Sequence, residues 1–238
     1  MKLGILETGA PPQKLREQFG DYPSMFAALL GDSVQTTAYD VAHGVLPKAV
    51  DEQQAFLVTG SAAGVYDPLP WIAPLMEFLR QAKGTTPLVG ICFGHQVMAQ
   101  AFGGQAVKSP KGWAIGLNRY DVQEGEAWMD ERALKSGPTI AIPASHQDQV
   151  VRLPPGASVN LASSFTPYAG LTYADGRAIS FQGHPEFDPA YAAALIEARR
   201  GKVYDEAIAE AGIESLQRPN DRDRVGKWIV NFLAGAAS

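Results

Sequence analysis

One cysteine, Cys92, and four histidines, His43, His95, His146 and His184, are the side chains of this chain best suited to nucleophilic chemistry. Cys92 lies in Gly90-Ile91-Cys92-Phe93-Gly94-His95-Gln96. The preceding Pro87-Leu88-Val89-Gly90-Ile91 is a short apolar run, as expected of a buried parallel strand. Residues 96–102 read as a helix, with Val97, Ala101 and Phe102 on one side. A cysteine at such a strand-to-helix corner has the layout of a nucleophile elbow. Gly90 and Gly94 would tolerate the sharp turn, and the positive end of the helix would favour the thiolate. The thiolate is the reactive species, and a free thiol with a pKa of roughly 8.5 needs that help. The bland alternative is a small buried hydrophobe, the usual fate of a single cysteine.

A cysteine nucleophile needs a base, and the base needs an orienting group. His184 stands in Ile179-Ser180-Phe181-Gln182-Gly183-His184-Pro185-Glu186, an apolar strand running into Gly, His, Pro and Glu. In extended chain alternate residues point the same way, so His184 and Glu186 are expected to share a face at a strand end. Glu186 could then accept a hydrogen bond from one imidazole nitrogen and leave the other for sulfur. Read alone, this stretch is better taken as a surface loop with a solvated His and Glu. His95 falls in the first helical turn after the elbow, where packing or hydrogen bonding is its expected role. His43 lies in a Gly-containing loop and reads as surface.

The Cys92 segment closely resembles the nucleophile motif of class I glutamine amidotransferases, and Gly183-His184-Pro185-Glu186 matches the second signature of that family. The resemblance spans residues 2–197 and implies a Cys92, His184, Glu186 triad cleaving a γ-glutamyl amide through a glutamyl thioester. It implies an oxyanion hole from the N–H of Phe93 and a second amide in the loop at residues 59–67. That loop commonly reads Ser-Gly-Gly-Pro in the family and here reads Thr59-Gly60-Ser61-Ala62, so the matching amide is that of Ser61. Ser61 is therefore expected to adopt a backbone conformation that glycine usually fills. The segment Ser145-His146-Gln147-Asp148 resembles the family's glutamine-binding loop, making these four residues, with Gly60 and Gln96, the expected substrate contacts. Chemistry of this kind needs no metal and no organic cofactor. Residues 59–67 lack the Gly-Lys-Ser/Thr ending of a phosphate-binding loop.

Composition narrows the class further. A chain of 238 residues with 46% hydrophobic residues can form one α/β domain with a full core. A formal charge of −5 without a basic cluster argues against nucleic acid as partner. A single cysteine is consistent with a reducing compartment. The amino terminus does not read as a signal peptide, and no apolar run approaches the ~20 residues of a membrane span. The expectation is a soluble, cytoplasmic protein with no membrane partner.

Strands are predicted over residues 2–6, 33–39, 55–58 and 88–91, with helices over 13–30, broken near Gly20-Asp21-Tyr22-Pro23, and 71–83. This alternation implies a parallel sheet with right-handed crossovers, whose chemistry collects at the strands' carboxyl ends. Short strands at 115–122, 139–142, 158–162, 169–173 and 178–182 suggest antiparallel additions to the same domain. Helices follow at 188–200, 202–217 and 222–233, the last with Val225, Trp228, Ile229, Phe232 and Leu233 at core spacing. The resemblance implies a flavodoxin-like three-layer α/β sandwich at residues 1–200, with 201–238 a helical extension packed on it. The segment order is most similar to the amidotransferase part of GMP synthase. The residues after Gln182 are too few for a synthetase domain, and they contain no Ser-Gly-Gly-x-Asp-Ser pyrophosphatase loop. The reading is an amidotransferase domain releasing ammonia for a separate acceptor, with a synthetase subunit as possible partner. The alternatives are a stand-alone γ-glutamyl peptidase acting on substrates such as glutathione conjugates, and a non-catalytic regulatory module.

Overall fold

The computed structural model describes residues 1–123, 125–131, 133 and 138–236. Strands β1 (Lys2–Glu7), β2 (Gln35–Asp40), β3 (Ala55–Val58), β4 (Leu88–Ile91) and β11 (Ala178–Phe181) pair in parallel in the order β2-β1-β3-β4-β11. The sheet continues antiparallel through β10 (Gly170–Thr172), β9 (Ser158–Ala162), β6 (Ala114–Val122) and β7 (Thr139–His146). It is a mixed sheet with a parallel centre and antiparallel additions, flanked by helices. A separate ladder joins β5 (Gln105–Lys108) to β8 (Asp148–Arg152).

Two layers of helices follow from two apolar faces. Leu3, Ile5, Leu57, Val89, Ile91, Ile179 and Phe181 pack against α2 (Tyr22–Leu30) and α7 (Arg222–Ala236). Leu6, Phe56, Val58 and Leu88 pack on the other side against α3 (Ile72–Ala82) and α4 (Phe93–Ala101). Gly4 makes room for its neighbour on β3: a Cβ there would lie 2.4 Å from a ring carbon of Phe56. A third cluster holds α1 (Gln13–Phe19), α5 (Pro189–Arg199) and α6 (Glu206–Ser215) together through Leu15, Tyr191, Leu195, Ile196 and Ala209. Within the described residues no helix is long and apolar enough to cross a membrane.

Several boundaries differ from those read in the sequence. The 13–30 helix is indeed two, and α2 resumes at Tyr22 because Asp21 caps it, accepting from the Ser24 N–H at 3.0 Å. The strand predicted to end at 142 runs on to His146 through Pro143, which β7 tolerates because it is the sheet's edge. The strands β5 and β8 were not anticipated. Both are short, and β8 begins inside the stretch whose resemblance implies a binding loop.

Candidate active site

The ends of the parallel strands set the candidate reacting groups. Cys92 follows β4 and is the N-cap of α4, so that helix starts at Phe93, three residues before the predicted Gln96. Its own backbone takes the strain of the corner, with φ 54° and ψ −102°, and it is the one non-glycine residue with positive φ among the described residues. Gly90 and Gly94 serve differently from expectation, because neither has positive φ. A Cβ on Gly94 would lie 2.3 Å from the Val58 carbonyl oxygen, and one on Gly90 2.6 Å from that of Gly94. The glycines are needed so that β3, β4 and α4 can approach, while the cysteine makes the turn.

His184 and Glu186 lie beyond β11, in a turn closed by the Phe187 N–H donating to the His184 carbonyl at 3.3 Å. The expected strand alternation is thus replaced by a turn, the chain having left extended geometry after Phe181. The pairing is made nonetheless: Nδ1 of His184 lies 2.7 Å from Glu186 Oε1, and both side chains are almost wholly buried. Since the carboxylate accepts, Nδ1 carries the proton and Nε2 remains for the cysteine. Phe187 stacks on the imidazole at 3.9 Å between centroids and 8° between planes, fixing the ring. The Pro185 and Glu186 carbonyls accept from Arg222 at 3.2 and 3.4 Å, tying the turn to α7. Burial opposes charge on His184, but Glu186 and then Cys92 outweigh it and raise its pKa to about 10.

Gly60 follows β3 directly beneath these groups. A Cβ there would come within 2.8 Å of His184 Cε1 and 3.7 Å of Cys92 Cβ. The position is held from below: the Thr8 hydroxyl donates to the Thr59 carbonyl at 3.0 Å, and the Gly94 N–H donates to the same oxygen at 3.2 Å. Ser61 has no positive φ, so the expectation of a glycine-like backbone there is overturned. The loop reaches its shape through local bonds, Ala63 N–H to Ser61 Oγ at 3.2 Å and Gly64 N–H to Asp67 Oδ2 at 2.8 Å. Among the described residues, the N–H groups of Ser61 and Phe93 meet no carbonyl, which leaves both available as donors.

A cavity of about 370 Å³ opens on Cys92 and gathers Ser61, Gln96, Ser145, His146, Gln147 and Asp148. Gln96 is already engaged, donating to the Asp148 carbonyl at 2.9 Å and to Gln182 Oε1 at 3.2 Å, so its amide braces the wall. His146 is buried, its Nδ1 lies 3.1 Å from the Asp148 carbonyl, and burial lowers its pKa to about 3. His95 is likewise buried, at 2.8 Å from Ser180 Oγ, with its pKa lowered to about 3 by burial and then by His146. Both are neutral. His43 is exposed and pairs with Asp40 at 2.8 Å, remote from the cavity lining. The sequence reading did not single out Lys108, Trp113 or Arg199, which also line the cavity. They lie on separate elements, with no local motif to mark them. Tyr66 joins loop to wall, its hydroxyl donating to Asp148 Oδ2 at 2.8 Å. Among the described residues, no group of three or more His, Cys, Asp or Glu is arranged to hold a metal ion.

Residues 38–199 match the family model described as glutamine amidotransferase class-I. A glutamine amidotransferase-like protein of Schizosaccharomyces pombe is 29% identical over 97% of this chain and 98% of its own length. Gamma-glutamyl peptidase 4 of Arabidopsis thaliana is 30% identical, covering 92% of this chain and 89% of its own. The glutamine-hydrolysing GMP synthase of Thermus thermophilus is 35% identical over 56% of this chain but only 24% of its own length. A glutamine amidotransferase from Thermotoga maritima has the same fold, with a TM-score of 0.77 at 17% identity, covering 100% of this chain and 98% of its own.

Proposed function

The chain belongs to the class I glutamine amidotransferase family, and on that premise we propose that it hydrolyses the side-chain amide of a γ-glutamyl compound through Cys92, His184 and Glu186. The observation that carries this is the buried 2.7 Å His184–Glu186 contact beside the strained Cys92 corner. Cys92 gives its proton to His184, its Sγ bonds to the γ-glutamyl carbonyl carbon as the C=O π bond opens, and the amides of Ser61 and Phe93 hold the resulting oxyanion. The C–N bond breaks as the imidazolium gives its proton to the leaving amine. His184 then takes a proton from water, the hydroxide attacks the thioester, and glutamate leaves while the thiol is restored. Glu186 keeps the imidazole in one tautomer and orientation. Gly60 and residues 145–148 would bind the glutamyl group.

Between the possible leaving groups, we favour a self-contained γ-glutamyl peptidase acting on γ-glutamyl peptides such as glutathione conjugates. Arg199, at the end of α5, lines the cavity and bonds Ser145, while Tyr204 beyond it holds Arg199. On this reading residues 201–236 complete the domain. The similarity to the Arabidopsis peptidase spans 92% of the chain, too much to stop at residue 200. The second reading, release of ammonia to a synthetase subunit, is favoured by the similarity to GMP synthase. Steady-state hydrolysis by the isolated protein decides: a γ-glutamyl dipeptide is expected to turn over well and glutamine poorly. Cys92→Ala should abolish both, and a glutamine-like diazo-ketone should label Cys92 alone. Full activity in the alanine variant would end the assignment.

A further inference from the structure

Arg199 is half-buried in the wall of the catalytic cavity, and its Nη1 is held by two neutral oxygens, Ser145 Oγ and Tyr204 Oη, each at 3.2 Å. No carboxylate pairs with it among the described residues. A guanidinium drawn partly out of water and left uncompensated is costly, and its planar fork matches a carboxylate. The two hydroxyls hold that fork in place. A second cation, Lys108, lines the same cavity from β5. It stands opposite Asp148 in the β5–β8 ladder but makes no ion pair with it, and Asp148 Oδ2 is taken by Tyr66.

From this geometry we infer, resting on the hydrolase reading above, that Arg199 and Lys108 select a substrate with a free carboxylate on its leaving group. Glutamine leaves as ammonia, so beyond its glutamyl group it brings nothing to the two cations. A γ-glutamyl amino acid or peptide adds a carboxylate on its leaving group, which the two cations can share, while Asp148 is left for the ammonium. The volume agrees, since about 370 Å³ is within the range of cavities that enclose a whole small ligand. Trp113, half-buried with its edge against Tyr204 at 5.3 Å, offers a flat apolar wall to the leaving residue's side chain. Arg199 is a specificity residue here and touches no bond that breaks.

The test compares three substrates with the same glutamyl group: γ-glutamyl-alanine, γ-glutamyl-p-nitroanilide, whose leaving group has no carboxylate, and glutamine. For Arg199→Gln the KM for γ-glutamyl-alanine should rise about tenfold or more, as expected for losing a charge-assisted pair, with kcat little changed. KM for the anilide and for glutamine should stay within about twofold. An equal rise for all three would mean that Arg199 holds the glutamyl group itself, and no rise would mean that it holds neither; both overturn the inference. The exposed Lys108→Gln guards against misfolding of the Arg199 variant, and should raise KM for γ-glutamyl-alanine selectively by about threefold or more. An unchanged KM there also counts against the subsite. If the wild type cleaves none of the three, the hydrolase reading fails. If it cleaves all three equally well, that reading stands and the subsite falls.

Discussion

Cys92 combines a reactive atom with an unfavourable backbone, and the two are separable by mutation. An L residue at φ 54°, ψ −102° carries strain of roughly 1–3 kcal/mol that glycine escapes, against which glycine loses somewhat more chain entropy on folding. Cys92→Gly is therefore expected to be more stable than Cys92→Ala by about 1 kcal/mol, read from urea unfolding, although both lose turnover. Equal or reversed stabilities would show that the corner is relaxed. His184 supplies a second residue-scale outcome. Burial alone would keep it neutral, and Glu186 more than reverses this, raising its pKa to about 10 from an ordinary 6.5. A raised pKa means stabilisation that is complete below about pH 6.5 and fades as pH climbs through about 10. Glu186→Gln should thus destabilise most near pH 6, by about 3–5 kcal/mol for a broken buried pair, and less near pH 10. A penalty independent of pH would argue against an imidazolium.

Among the elements, the loop of residues 59–67 matters most to the proposed mechanism, in which Ser61 helps hold the oxyanion only if the loop keeps its shape. Its base is fastened by Thr8 and Gly94, and its far side by the Tyr66–Asp148 hydrogen bond across the cavity. That bond is exposed on the tyrosine side, so its loss should leave the core unaffected. Burial and then Asp148 raise the Tyr66 pKa to about 12, so the hydroxyl stays a donor throughout the working pH range. Tyr66→Phe is expected to keep its melting temperature while kcat/KM falls about threefold to tenfold, the worth of one hydrogen bond. Unchanged kcat/KM would mean that the loop holds itself through Asp67 and Ser61 alone.

At the scale of the molecule, the last helix belongs to the core. Val225, Trp228, Ile229, Phe232 and Leu233 of α7 are buried against the same cluster as β1, β4 and β11. The Trp228 indole N–H also donates to Asp130 at 2.9 Å, and Arg222 reaches the turn that carries Glu186. Each large buried side chain contributes roughly 1.5–3 kcal/mol, and five of them rival the 5–15 kcal/mol total stability of a typical domain. A chain ending at Gln217 is therefore expected to lack a cooperative unfolding transition by circular dichroism. If the shortened chain unfolds cooperatively and keeps its activity, residues 218–238 are a detachable extension.

The sequence by itself determined the order of the parallel strands' residues, the corner at Cys92 and the apolar stripe of α7, because each rests on local pattern: short apolar runs, glycines beside a cysteine, and helical spacing. It marked Gly183-His184-Pro185-Glu186 as a segment that could furnish a base, but read it as extended chain. Only the tertiary structure decided that a turn pairs His184 with Glu186, that Gly90 and Gly94 serve close approach, and that Ser61 needs no glycine-like backbone. It alone assembled Lys108, Trp113 and Arg199 around one cavity, from β5, the loop before β6 and the end of α5. Charges that far apart in sequence look like solvated surface, and they acquire a common purpose only where the fold closes them around the same space.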